Sequence, residues 1–188
     1  MPLFAQKLFL LNRWRHALAG WLCLVGVAGL VHAQGSAQGP AMVVQQVSAS
    51  AWYVEGQSAL GTPANQNFIS NAAFVVTPAG VVVVDALGSP ALAERLLAEI
   101  RKITPLPVTQ VILTHYHADH IYGVQAFKAQ GARIMAHRAA RDYLNSDAAL
   151  IRLQASRETL APWINAQTHL VPADDWIEGT RDLVVGGV

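Results

Sequence analysis

The hydrophobic pattern divides the chain into an apolar leader and a body where strand-like runs give way to strand–helix alternation. Ala17 to Val31 is an unbroken apolar stretch, followed by a Gly/Ser/Gln-rich linker over residues 34–41. Val43 to Val47 and Trp52 to Val54 are short, β-favouring runs and predict the first strands. Phe74 to Val76 and Val81 to Val84 flank Thr77-Pro78-Ala79-Gly80. Pro early and Gly late in that tetrad predict a hairpin. Its second arm is all valine, which predicts a strand buried on both faces.

Helical periodicity begins at Ser89-Pro90, where Ser supplies an N-cap and Pro the first helical position. Leu92, Leu96, Leu97 and Ile100 then form one apolar stripe suited to packing on a sheet. Thr104 to Pro107 ends that helix, and Val108 to Leu113 predicts a strand. The spacing further predicts a helix over 121–130, a short strand over 133–136 and a mostly helical segment over 138–157. Pro162, Pro172 and the Asp174-Asp175 pair, read as a solvated turn, interrupt the tail. Arg181 to Val188 reads as a strand entering a turn, with its partner strand missing, so C-terminal truncation is expected. Early strands followed by β-α alternation predict an α+β layered protein.

Composition changes the picture chiefly at the N-terminus. Lys7, Arg13 and Arg15 precede the apolar stretch, and Val31-His32-Ala33 follows it with small residues at the positions a signal peptidase reads. The expectation is a Sec-type signal peptide over 1–33, cleaved before Gln34, and a periplasmic or secreted product. The 15 apolar residues fall short of the roughly 20 that span a membrane, so no membrane association is expected after cleavage. Three of the thirteen basic residues lie in that segment, leaving ten against twelve acidic ones. No basic stripe survives, which argues against nucleic-acid binding. The single cysteine, Cys23, also lies in the leader, so the body carries neither a disulfide nor a thiolate ligand. Residues 42–188 are expected to form one domain.

The candidate chemistry sits at the end of the strand predicted over 108–113. Thr114-His115-Tyr116-His117-Ala118-Asp119-His120 places three imidazoles and a carboxylate within six residues, the ligand types that zinc accepts. His115 and His117, two apart, can point the same way from an extended loop. Asp119 and His120 follow where the chain turns into a helix, so one segment can offer two ligands to each of two metals. Ions about 3.5 to 4 Å apart can hold a bridging hydroxide and a substrate oxygen together.

The run from Thr114 through Gly123, with the preceding hairpin, Val83-Val84-Asp85, helix and strand, resembles the metallo-β-lactamase-fold hydrolases. The resemblance implies an αββα sandwich, here with only its N-terminal half complete, and a dinuclear zinc site between sheets. It implies that His115 and His117 bind the first metal and that Asp119 and His120 bind the second. Asp119 would also act catalytically, orienting the attacking hydroxide or shuttling its proton. Asp85, at a strand end, would accept a hydrogen bond from a ligand His. The expected activity is zinc-dependent hydrolysis of an ester, thioester, amide or related bond in a small-molecule substrate, through a metal-bound hydroxide. Two alternatives remain open: a non-catalytic truncated fragment, and a relative on the same scaffold using one iron to oxidise sulfur. The family completes its site with later ligands in a Gly-His-Thr type of context, which neither His137 nor His169 occupies. His137 reads as a helix-cap or pocket-rim residue, and His169 as structural. Tyr116 and Tyr122 flank the ligands and either line the mouth or pack, while Trp163 and Trp176 read as core or lid anchors.

Overall fold

The computed structural model describes residues 39–188; the expected signal peptide and most of the linker lie outside them. Seven strands form one sheet in the order in which they occur along the chain. They are β1 (Val44–Gln46), β2 (Ala51–Val54), β3 (Ala72–Thr77), β4 (Gly80–Val84), β5 (Val108–Leu113), β6 (Arg133–His137) and β7 (Asp175–Ile177). Pairings β1 to β4 are antiparallel, and those from β4 to β7 are parallel. The change of sense falls where the hairpin pattern ends and the helical crossovers begin.

The first crossover is α1 (Pro90–Ile103), capped as expected: the Ser89 hydroxyl accepts the Leu92 N–H at 3.3 Å. The second contains α2 (Ala118–Ile121) and α3 (Val124–Ala129). Both advance in the same direction across the sheet, so right-handed connections put α1 and α3 on one face, where they meet. Phe74, Val83, Val111 and Ile134 line that face at 0% exposure and share a core with Leu92, Leu96 and Ile100. The opposite row, Tyr53, Ala73, Val84 and Ile112, is half-buried. An apolar face of this kind is what the second layer of a sandwich covers. Among the described residues no strand forms a second sheet.

Three expectations need correction. The helix expected over 121–130 is two helices, parted at Tyr122-Gly123, where the Gly123 N–H bonds the Leu87 carbonyl rather than one in the preceding turn. The segment over 138–157 is mostly helical, as expected: it holds α4 (Ala139–Leu144) and α5 (Asp147–Thr159), with Ser146 capping the second through the Ala149 N–H. Asp174-Asp175 is not a solvated turn. Asp174 Oδ2 accepts the Ile134 N–H at 2.8 Å and pairs with Lys128 at 2.6 Å, and Asp175 opens β7 and binds Arg133. Arg181 to Val188 contains a turn but no strand, and Val184 stays 77% exposed.

Candidate metal centre

The sheet presents β4 and β5 side by side in parallel, so the residues that follow each strand meet at one edge. Asp85 leaves β4 in a left-handed conformation (φ 64°), and Leu87 repeats it (φ 65°). Such φ values are uncommon outside glycine and cost about 1–3 kcal/mol each, so surrounding bonds must hold them. The Asp85 N–H donates to the Ile112 carbonyl, the Ala86 N–H to the His120 carbonyl, and the Gly123 N–H to the Leu87 carbonyl. Gly123 is required by space: a Cβ there would lie 1.9 Å from the Ala86 oxygen. This is the physical content of the glycine three residues after His120.

Asp85 is 5% exposed and uses both carboxylate oxygens. Oδ1 accepts the Thr114 N–H at 2.8 Å; Oδ2 accepts the Thr114 hydroxyl at 2.7 Å and faces His120 Nδ1 at 2.9 Å. The hydroxyl has one proton. Having donated it to Asp85, the Thr114 oxygen accepts from His115 Nδ1 at 2.9 Å. The network therefore assigns the Nδ1 proton on both His115 and His120, and a lone pair on Nε2 of each neutral ring. One carboxylate sets two imidazoles, His120 directly and His115 through Thr114.

The rings cluster. His115 lies 4.6 Å from His117 and 4.1 Å from His120, centroid to centroid. Asp119 Oδ2 lies 3.3 Å from His120 Nε2. Burial opposes charge on His120, but hydrogen bonds with Asp119 and Asp85 outweigh it and raise its pKa to about 9. The His120 contact in turn holds Asp119 below the usual carboxylate range, against burial. Burial first, then the neighbouring imidazoles, pushes His115 down. A proton on His120 Nε2 thus occupies the place between imidazole and carboxylate that a metal cation would take.

Among the described residues no three His, Cys, Asp or Glu side chains stand with their donors converged on one point. The donor set nevertheless suits zinc: three clustered imidazoles, two with Nδ1 held by other partners, and a partly buried carboxylate. His137 is remote in role: its Nδ1 accepts the Ala139 N–H at 3.2 Å at the start of α4. His169 is held by Gln125 and Gln167 on the surface. Tyr122 packs, 2% exposed, with its hydroxyl 3.3 Å from Ser156 Oγ. Trp163 donates to the Pro63 carbonyl, and Trp176 lies in β7 against the core.

Two supporting residues had no sequence signal. The Ser70 hydroxyl donates to the Asp119 carbonyl, bracing the loop from the segment before β3. Asn67, itself at φ 62°, donates to the Gly88 carbonyl behind the Asp85 turn. Only the tertiary approach of Ser70 to Asp119 and of Asn67 to Gly88 reveals them.

The decisive comparison is with family models: residues 66–185 match the one described as the metallo-beta-lactamase superfamily. The chain belongs to the metallo-β-lactamase superfamily. The match covers both the Asp85 turn and the His115–His120 loop. A metallo-beta-lactamase type 2 of Bacillus cereus is 32% identical over 97 residues, covering 52% of this chain and 36% of that protein. A linear primary-alkylsulfatase of a Pseudomonas species is 39% identical over 56 residues, covering 30% of this chain and 11% of that protein. The solved metallo-beta-lactamase of Pontibacter korlensis shares the fold, with a TM-score of 0.55 at 18% identity. That superposition covers 78% of this chain and 57% of that one. The matched stretches thus span about a third of one curated relative's length and about a tenth of the other's.

Proposed function

We propose that this metallo-β-lactamase-superfamily chain is an exported, zinc-dependent hydrolase acting on an ester, thioester, amide or related bond of a small molecule. One observation carries the reading. Asp85, a single buried carboxylate, holds the Nδ1 side of both imidazoles, His120 directly and His115 through Thr114, and the two rings lie tilted at 51° with centroids 4.1 Å apart. An isolated histidine cluster would not need that orientation; metal ligands do.

His115 and His117 would hold one zinc, and Asp119 and His120 a second. Zinc held there would supply Lewis acidity and a water acidic enough to attack near neutral pH. Asp119 would orient the attacking water or take its proton, a role supported by the tether of its carboxylate to His120 and of its backbone to Ser70. Asp85 would keep both imidazoles in register, His120 directly and His115 through Thr114.

Metal analysis of the purified full chain, paired with hydrolysis of phenyl acetate, tests the reading. Near two zinc per chain with turnover that Asp119→Asn abolishes is the expected result. One iron per chain with oxygen uptake would overturn it, and so would bound zinc without turnover of any ester, thioester or amide. Export is tested separately by fractionation: the product should begin at Gln34 outside the cytoplasm, and an uncleaved cytoplasmic chain would contradict it.

A further inference from the structure

Beside the histidine cluster, the C-terminal ends of β5 and β6 border a cleft of about 190 Å³, with α4 along one side. Leu113, Ile121 and Ala136 supply apolar walls from the sheet and α2, and Ala140 and Leu144 supply them from α4. Its polar lining comes from Thr114, His115, Tyr116 and His137, none of them a carboxylate, ammonium or guanidinium. His115 belongs to both the cleft and the metal-ligand cluster, so anything seated in the cleft lies against the candidate reaction centre.

The dimensions and chemistry select the occupant. An apolar cavity of about 150 Å³ takes up benzene, so this cleft accommodates one aromatic ring or a branched alkyl group of like size. A charged group would lose its water there without finding a charged partner, since no Lys, Arg, Asp or Glu lines the cleft. Its position follows the rule that open sheets bind ligands beyond the carboxyl ends of parallel strands. Tyr116 adds an aromatic surface. Its ring stacks on Tyr143, the centroids 4.5 Å apart at 24°, and meets His117 edge-on at 5.9 Å. Pinned between α4 and the cluster, Tyr116 still leaves 38% of itself exposed.

We propose that this cleft is the specificity pocket of the centre, taking an aryl or short branched alkyl group of the substrate so that the adjoining bond lies beside His115. The assignment rests on the hydrolase reading above. It narrows that reading to substrates carrying a compact apolar group next to the scissile bond. Tyr116 and Leu144 position the group; they do not touch the reacting atoms.

The test is fluorobenzene binding to the full chain, followed by fluorine NMR, with zinc content measured on the same samples. Saturable binding is expected in the parent. Ala139→Phe, at an exposed position on the rim, should weaken it at least tenfold at unchanged zinc content. Tyr116→Ala should also weaken it, and Tyr116→Phe should restore it. A folded, zinc-loaded parent that shows no saturable binding overturns the pocket, as does binding indifferent to both Ala139→Phe and Tyr116→Ala. Fluorobenzene binding by a chain that holds no zinc would support the cleft and sink the hydrolase reading instead.

Discussion

The two ends of the parallel sheet are held by different physics. Where β4 and β5 end, buried groups are fully bonded. Asp85 satisfies three donors, two left-handed residues are locked by backbone bonds, and Gly123 closes on a carbonyl with no room to spare. Where β6 and β7 meet, exposed ion pairs hold the edge: Lys128 with Asp174, Arg133 with Asp175, and Arg138 with Glu178. A buried network leaves an expensive unpaired group when one member is removed, whereas a solvated pair loses little. The molecule invests its strain and its satisfied polar groups at the end that carries the histidines.

Substitutions should separate the two ends by size of effect. Gly123→Ala forces a Cβ onto the Ala86 oxygen and should cost about 3 kcal/mol or more, on the order of 10 °C in Tm, read by thermal unfolding. Asp85→Ala strands the Thr114 N–H and frees two imidazoles. It should cost about 2–3 kcal/mol and weaken zinc binding about 10- to 100-fold, measured by zinc titration.

At the other end, Asp174→Ala should cost about 1 kcal/mol, mostly through the lost Ile134 N–H bond. The Lys128 contact, then the Ile134 N–H, holds this carboxyl below its ordinary value of 3.8. Its contribution is therefore present above that value and lost as pH falls, so the Tm gap between parent and variant should close below pH 3.8. Arg138→Ala should change stability by no more than about 0.5 kcal/mol, since both partners are exposed. An Arg138→Ala effect as large as that of Asp85→Ala would erase the distinction.

The same contrast explains what the amino-acid pattern disclosed. The hairpin, the capped α1 and β5 follow from local rules: Pro and Gly at the turn, Ser before Pro, and alternating or continuous valines. The break at Tyr122-Gly123 was hidden because the Leu87 carbonyl, which takes the Gly123 N–H, is distant along the chain. β7 was hidden because two aspartates read as solvent-facing until Lys128, Arg133 and the Ile134 N–H are brought beside them. Within the site, the motif identified His115, His117, Asp119 and His120 as candidate ligands. The part of Thr114 in relaying Asp85 to His115, and the brace from Ser70, required coordinates.

X-ray absorption at the zinc edge, on the zinc-loaded full chain and its His115→Ala/His117→Ala variant, tests the central claim most directly. The account predicts an imidazole-rich nitrogen and oxygen shell in the parent that loses imidazole scattering in the variant. An identical shell in both would place the metal elsewhere and contradict the assignment of this loop as the metal centre.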